Sequence, residues 1–174
     1  MRGSAMKLFM FQIGGDCGGS NVELHDIRFC VGKTASDCYD DLRSQWWGNP
    51  KSLHVDCWGE IRHFDGYDIQ IVPRRNNLDN NKLFFINLGG YDPAEFGELH
   101  RNVLLVCPDA KTAKARALAE IQHWSQPHKD KAFEVEKAVN ISKTVEARGY
   151  SIELVPSPAA IPFDFVCKYL KIGC

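Results

Sequence analysis

The chain has 174 residues, with 21 Lys and Arg against 22 Asp and Glu, which gives a formal net charge of −1. Hydrophobic residues make up 44% and charged residues 25% of the chain, a balance that is typical of globular proteins and excludes a disordered or collagen-like chain. The near-zero net charge argues against a general nucleic-acid binder. No apolar stretch approaches the roughly 18 residues of a membrane span. We therefore expect neither a membrane nor a nucleic-acid partner.

The seven cysteines indicate the compartment. No pair has the C-x-x-C spacing of redox or zinc motifs, and an odd number cannot pair completely within one chain. No secretory leader opens the sequence, and residues 1–6 read as an appended or disordered start, with Met6 as a candidate native first residue. These features predict free thiols and a cytoplasmic protein.

The first half, residues 7–73, predicts a ββαββ order. Leu42 lies at the centre of an apolar helix face, and Asp65-Gly66 between two alternating runs is typical of a hairpin turn. The predicted elements are strands at 7–13 and 24–31, a helix at 34–47, and strands at 54–64 and 67–72.

The second half, residues 82–156, follows a polar linker at 74–81 and begins in the same way. A short helix at 140–149 replaces the tight hairpin, and a tail at 157–174 is expected to pack on the body as an irregular strap. The predicted elements are strands at 82–88 and 99–106, a helix at 109–124, and strands at 133–139 and 150–155.

The two halves repeat each other. With a constant offset of 75, nine of the 25 residues at 7–31 are identical to those at 82–106. A second block, Gly-Tyr-x-Ile-x-x-Val-Pro, starts at Gly66 and again at Gly149. The sequence therefore predicts an α+β fold of two internally duplicated ββαββ-like repeats, packed as one globular unit with a C-terminal strap.

Pairs of acidic residues and histidines recur in the repeats. Residues two apart on a strand face the same side, so each pair offers a carboxylate and an imidazole to one surface. Such groups bind Zn, Mn or Fe, or act as an acid/base pair, and in a duplicated fold one pair from each half would meet at a shared site. The alternative is a structural role, in which these side chains form hydrogen bonds with the loop backbone or with each other. The candidate metal ligands are Glu23, His25, His54, Asp56, Glu98, His100, His128 and Asp130.

Glycine pairs follow the first strand of each half. Gly14 and Gly15, with Gly89 and Gly90, are candidates for ligand binding, because backbone N–H groups in a glycine-rich loop can cradle an anion. The alternative is a turn that requires a positive φ.

Several of these motifs together resemble a known family. They are Phe-x-Ile-Gly-Gly at 11–15, Glu-Leu-His-Asp at 23–26, His-x-Asp at 54–56, Asp-Gly-Tyr at 65–67, Asn-Leu-Gly-Gly-Tyr-Asp-Pro at 87–93 and Phe-x-Glu-Leu-His at 96–100. The chain is similar over most of residues 6–156 to a bacterial family catalogued as Domain of Unknown Function 1543. The resemblance implies a small, soluble bacterial protein and brings no assigned activity.

Three functional hypotheses follow. The first is a non-enzymatic binding or interaction module, whose small-molecule or protein partner the sequence does not identify. The second is a metal-dependent enzyme with a divalent cation at the His/carboxylate pairs between the repeats. The third is a structural homo-oligomer, for example a homodimer, that exposes a sheet edge.

Overall fold

A computed structural model describes residues 5–75, 80–92, 94–120 and 134–174 as a mixed α+β protein. Within these ranges no helix has the length and apolar character needed to cross a membrane. The described strands are β1 (Lys7–Gly15), β2 (Leu24–Gly32), β3 (His54–Glu60), β4 (His63–Phe64), β5 (Tyr67–Pro73), β6 (Lys82–Tyr91), β7 (Glu98–Cys107), β8 (Glu134–Asn140), β9 (Tyr150–Pro156) and β10 (Phe165–Lys171). The α-helices are α1 (Tyr39–Gln45), α2 (Ala110–Glu120) and α3 (Ile141–Glu146).

The chain divides into two compact units. Unit 1 comprises Met1–Arg75 and Val145–Cys174, and unit 2 comprises Asn76–Thr144. The sequence analysis predicted two repeats packed as one, whereas here β9, from the second predicted repeat, pairs with β5 in unit 1. Part of the predicted tail also forms a regular strand, β10, in unit 1. Each unit is described by itself below.

The main sheet of unit 1 has the strand order β10-β3-β1-β2, and its neighbouring strands are antiparallel. Alternate residues of β1, Phe9, Phe11 and Ile13, are buried in one core cluster, as the period of a half-buried strand requires. Leu42 of α1 is fully buried in the same cluster. This helix therefore covers one face of the sheet.

A second sheet of unit 1 has the order β4-β5-β9. Asp65 (φ 52°) and Gly66 (φ 81°) form the turn between β4 and β5, which confirms the predicted hairpin. The sequence predicted one strand over 54–64, but β3 ends at Glu60. The N–H of Ile61 still donates to the carbonyl of Leu8 on β1 (2.8 Å), and the chain then leaves this sheet, because His63 and Phe64 pair with β5 instead.

Unit 2 contains a three-stranded antiparallel sheet of order β7-β6-β8. Phe84, Ile86 and Leu88 alternate along β6 and pack with Ala113 and Ala117 of α2 in a core cluster. The predicted 109–124 helix is described as far as Glu120, and the remainder of that range lies outside the described residues.

The Asp41–Arg148 ion pair connects α1 to the turn before β9 within unit 1. Nε and Nη2 of Arg148 donate to the two carboxylate oxygens of Asp41 at 2.7 and 3.2 Å. Burial by itself raises the pKa of Asp41, but the hydrogen bonds and charge of Arg148 outweigh it and lower this pKa below its usual value. Because the folded-state pKa is lowered, the carboxylate stabilises the fold at neutral pH, and this contribution is lost as the pH falls through that pKa.

We expect Asp41→Asn to lower the free energy of unfolding by about 1–2 kcal/mol at pH 7. The loss should be smaller at pH 3, because this pH is below the ordinary Asp pKa of 3.8, where the carboxylate of the unfolded wild type is already largely protonated. Urea unfolding at both pH values measures it. Glu153→Gln is the matched control, since the Glu153–Arg75 pair is more exposed (39% and 53% of the side chains) and should contribute little. An equal loss at both pH values would contradict the ion-pair assignment.

Candidate functional site

Three neighbouring strands bring two histidines together across a glycine. Gly14 on β1 lies opposite His25 on β2 and opposite His54 on β3. A Cβ atom at Gly14 would lie 2.7 Å from Cδ2 of His25 and 2.8 Å from Nε2 of His54. Both imidazoles therefore occupy the space above Gly14, and a larger residue at this position would push them apart.

His54 is held in one orientation and one tautomer. It is only 2% exposed, and its Nδ1 lies 2.9 Å from the carbonyl oxygen of Ser52. Because a carbonyl only accepts, Nδ1 carries a proton, and in the neutral imidazole Nε2 therefore presents a lone pair. Nε2 is buried without a hydrogen-bond partner, and it points toward the carboxylates of Glu23 and Asp56. A buried nitrogen in this state is a ready metal ligand.

Asp56 lies where the pairing of β3 is interrupted on both sides. The register with β1 shifts between Gln12 and Ile13, and the register with β10 shifts between Cys167 and Leu170. Bulges of this kind redirect side chains and are frequent beside functional sites. The Asp56 carboxylate lies 3.5 Å from Nε2 of His54 through Oδ1 and 3.4 Å from Nε2 of His25 through Oδ2.

Glu23 completes the cluster from the loop before β2. Its Oε1 lies 3.3 Å from Nε2 of His25, and its Oε2 lies 3.6 Å from Nε2 of His54. The side chains of Glu23 and His25 are 44% and 40% exposed, so this side of the cluster faces solvent. One ligand atom each from Glu23, His25 and His54 lie within 4.8 Å of one another.

Two hydrogen bonds hold the start of the loop between β1 and β2 in place. The N–H of Asp16 donates to Oγ of Ser52 (2.8 Å), and the N–H of Asn49 donates to the carbonyl of Asp16 (2.8 Å). Ser52 thus bonds the loop through its hydroxyl and His54 through its carbonyl. The turn that orients the buried histidine also anchors the start of the loop that carries Glu23.

The N···O distances in the cluster are longer than those of ion-paired hydrogen bonds. Ion-paired N–H···O contacts are usually about 2.7–2.9 Å, whereas the four distances here span 3.3–3.6 Å. Two ligand atoms about 2.1 Å from a zinc ion are about 3.4 Å apart at the tetrahedral angle and about 3.0 Å apart at a right angle. The four observed distances join each imidazole to a different oxygen of each carboxylate. One ligand atom each from Glu23, His25 and His54 lies within 4.8 Å of the others, which is wider than a closed tetrahedral shell.

The glycine pair therefore has a role that the sequence analysis did not predict. Gly14 and Gly15 are strand residues, and neither has a positive φ, so the turn interpretation is wrong for them. It holds at Gly19, whose φ is 87°. A Cβ atom at Gly15 would meet Oγ of Ser52 at 2.8 Å and Trp46 at 2.9 Å. Both glycines thus permit close packing, and their predicted anion binding stays a prediction.

Unit 2 repeats part of this arrangement. Gly89 on β6 lies opposite His100 on β7 and opposite Glu134 on β8, and Nε2 of His100 is 3.6 Å from Oε2 of Glu98. Gly90 follows on the same strand. The sequence matched His54 with His128, but the strand register instead matches it with Glu134. His128 and Asp130 lie outside the described residues.

Two features next to the cluster were not found from the sequence. The ring of Tyr169 on β10 lies against that of His54, with centroids 4.6 Å apart, and a disulfide joins Cys57 on β3 to Cys167 on β10. The cysteine pattern predicted free thiols, and the prolines of the tail predicted an irregular strap. Only the alternation of apolar residues at 163–172 indicated that the tail packs on the fold.

A separate cavity of about 280 Å³ lies between β3, β4 and the segment before β10. Its lining includes Trp58, Arg62, Phe163 and Phe165 and none of the four residues of the His/carboxylate cluster. The volume is at the lower limit of small-molecule sites. The His/carboxylate cluster is therefore the stronger candidate for a functional site.

Comparison with known proteins supports the family and the fold. The family described as Domain of Unknown Function (DUF1543) matches residues 20–71, which include all four residues of the cluster and confirm the resemblance seen in the sequence. No curated protein matches the chain. The crystal structure of a protein Il1583 from Idiomarina loihiensis is similar over 96% of this chain and 98% of that one, with a TM-score of 0.72 and 24% identity. This likeness shows the fold alone.

We expect Gly14→Ala to lower the free energy of unfolding by about 1–3 kcal/mol, because the added methyl displaces both imidazoles. Gly18→Ala is the matched control, since a Cβ there meets nothing within 4 Å and should change stability by no more than about 0.5 kcal/mol. Urea unfolding of the metal-free proteins measures both. Equal stability of the two variants would show that the rings tolerate a side chain beneath them.

Proposed function

We propose that this protein is a binding module for a divalent transition metal, held by Glu23, His25 and His54 with Asp56 as the fourth donor. The observation that carries the proposal is the buried Nε2 of His54, which has no hydrogen-bond partner while Nδ1 is fixed by Ser52. A buried polar atom without a partner is costly. A metal ion bound to this lone pair removes that cost.

Charge supports a divalent cation. The cluster holds two carboxylates and two imidazoles at contact distances that are long for hydrogen bonds. With both imidazoles neutral, the group carries two negative charges, and one divalent ion neutralises them. Without a cation the two carboxylates repel each other in a partly buried setting, where charges are poorly screened.

The donor set favours zinc. Nitrogen and oxygen donors without sulfur suit Zn²⁺, Fe²⁺ and Mn²⁺, and imidazole favours the first two over Mn²⁺. Two imidazole nitrogens and two carboxylates are enough donors for the four-coordinate geometry that zinc adopts in most protein sites. We therefore rank Zn²⁺ first, with Fe²⁺ as the runner-up.

Metal analysis of the untagged protein, followed by competition with a chromophoric chelator, tests the proposal. We expect one equivalent of Zn²⁺ per chain and a loss of at least tenfold in affinity for Glu23→Gln, which removes one anionic donor. Asp40→Asn is the matched control, because its side chain is 94% exposed and pairs with Arg43 instead. Equal affinity of both variants for zinc, or no binding of Zn²⁺, Fe²⁺ or Mn²⁺ by the wild type, would refute the site.

Gly14→Ala should also weaken zinc binding, because the two imidazoles must converge above this residue. We expect a loss of at least tenfold in affinity, and no change for Gly18→Ala. The chelator competition that is used for Glu23→Gln measures both. An unaltered affinity in Gly14→Ala would show that the rings do not bind a common ion.

A metal-dependent enzyme is the second candidate, and one observation favours it. Glu23 and His25 are 44% and 40% exposed, so a bound ion would face solvent on one side, as catalytic metals do. Protein loaded with Co²⁺ provides the test. A change of its visible spectrum on addition of azide would indicate an exchangeable position, whereas an unchanged spectrum would indicate a closed, structural site.

We also infer that the sheets β2-β1-β3 and β7-β6-β8 arose by duplication. The pairing of β1 with β2 and that of β6 with β7 keep the same register at an offset of 75 residues, from Lys7 to Lys82. The register shift at Gln12 recurs at the same offset, at Asn87. A crystal structure tests this inference, because the strand pairs should superpose at this offset, and a better superposition at another offset would contradict it.

A further inference from the structure

The C-terminal strand β10 lies along β3 beside the cluster. Lys171 pairs with His54 and Cys167 pairs with Cys57, so the strand passes both sides of Asp56. Between these pairs, Lys168 and Tyr169 face the single residue Asp56 across the bulge. The bulge brings the Tyr169 ring against His54, with centroids 4.6 Å apart.

Few buried side chains hold this strand in place. Phe165, Val166 and Tyr169 are 61%, 48% and 63% exposed. At the C-terminal end, the side chain of Ile172 is buried in the core cluster, and its N–H donates to the carbonyl of Leu53 (3.1 Å). An edge strand with so little apolar burial opens readily unless something else restrains it.

The Cys57–Cys167 disulfide is that restraint. It joins β3 and β10 on one side of the bulge, while Ile172 anchors the strand on the other side. Tyr169 lies between these two fixed points. Without the disulfide, Tyr169 is held by the neighbouring Leu170, which packs partly buried on the core cluster, by Ile172 and by backbone hydrogen bonds.

We propose that the Cys57–Cys167 disulfide is a redox clamp that raises the metal affinity of the neighbouring cluster; this inference rests on the function proposed above. In the oxidised form, β10 is pinned and Tyr169 holds the His54 ring in its binding orientation. Reduction by two equivalents of a low-molecular-weight thiol gives two cysteine thiols and the disulfide of the reductant, with two electrons and two protons transferred to the protein. In the reducing compartment that the cysteine content predicts, most disulfides are transient.

The coupling is reciprocal. If oxidation tightens zinc binding by a given factor, then zinc stabilises the disulfide against reduction by the same factor. A tenfold effect corresponds to a shift of about 30 mV in the two-electron reduction potential. Tyr169 is a positioning residue in this scheme, because it acts through His54.

The experiment compares the zinc affinity of the oxidised protein with that of protein reduced by a phosphine, since thiol reductants bind zinc themselves. We expect about tenfold weaker binding after reduction, within the range found when groups that orient metal ligands are lost. The double variant Cys57→Ser/Cys167→Ser should match the reduced wild type and show no response to the phosphine. Cys174→Ser is the control, because Cys174 is an exposed free cysteine, and it should respond as the wild type does.

Tyr169→Ala and Tyr169→Phe separate the clamp from a general loss of stability. We expect Tyr169→Ala to bind zinc weakly in both redox states, and Tyr169→Phe, which keeps the ring, to behave as the wild type. The reduction potential of the disulfide with and without zinc gives a second readout, with an expected difference of about 30 mV for a tenfold effect.

The outcomes distinguish the clamp from the metal site. If zinc binds equally to the oxidised and reduced protein, the clamp is refuted while the metal site stands. Tighter binding after reduction would also refute the clamp, because it would mean that the freed thiols serve as ligands. If the oxidised protein binds no metal, the proposed function itself fails.

Discussion

The convergence of two imidazoles above Gly14 is the contact on which the cluster depends. Gly14 lies on β1, between the strands that carry His25 and His54, and the absence of a side chain lets both rings occupy one space. Glycine inside a strand costs about 0.5–1 kcal/mol relative to alanine. The same strand buries Phe11 and Ile13 completely, and this burial offsets the cost many times over. The sheet thus tolerates a destabilising glycine at the position where two imidazole rings pack on its surface.

The bulge at Asp56 gives its carboxylate a direction that a regular strand would not. On a regular strand, residues two apart lie about 6–7 Å from each other along the chain, so the Asp56 carboxylate would stand beside His54 without turning toward it. The interruption on both sides of Asp56 increases the local twist and directs the carboxylate toward both imidazoles. The same irregularity leaves space opposite Asp56 for Tyr169 of β10. Cluster geometry and strand docking therefore depend on one feature of β3.

The sequence predicted much of the fold and the four residues of the cluster, but not the contacts that bring these residues together. Strand alternation and turn chemistry placed Glu23, His25, His54 and Asp56 on strands or at their starts, because these patterns are local in the chain. The role of Gly14 depends on what lies on the two neighbouring strands, so no local pattern reveals it. Tyr169 and the disulfide were missed for the same reason, since Cys57 and Cys167 are 110 residues apart. The match of His54-x-Asp56 with His128-x-Asp130 stays a prediction, because the second pair lies outside the described residues.

Comparison with unit 2 separates the strand register of the site from the residue types that the site carries. It keeps a glycine, Gly89, opposite a histidine, His100, in the same register as in unit 1. At the third strand, however, the residue opposite this glycine is Glu134, where unit 1 has His54. The strand register is therefore shared by both sheets, while the residue type at this position differs between them. Among the described residues, unit 1 has two histidines opposite this glycine and unit 2 has one, so we expect a zinc stoichiometry of one ion per chain.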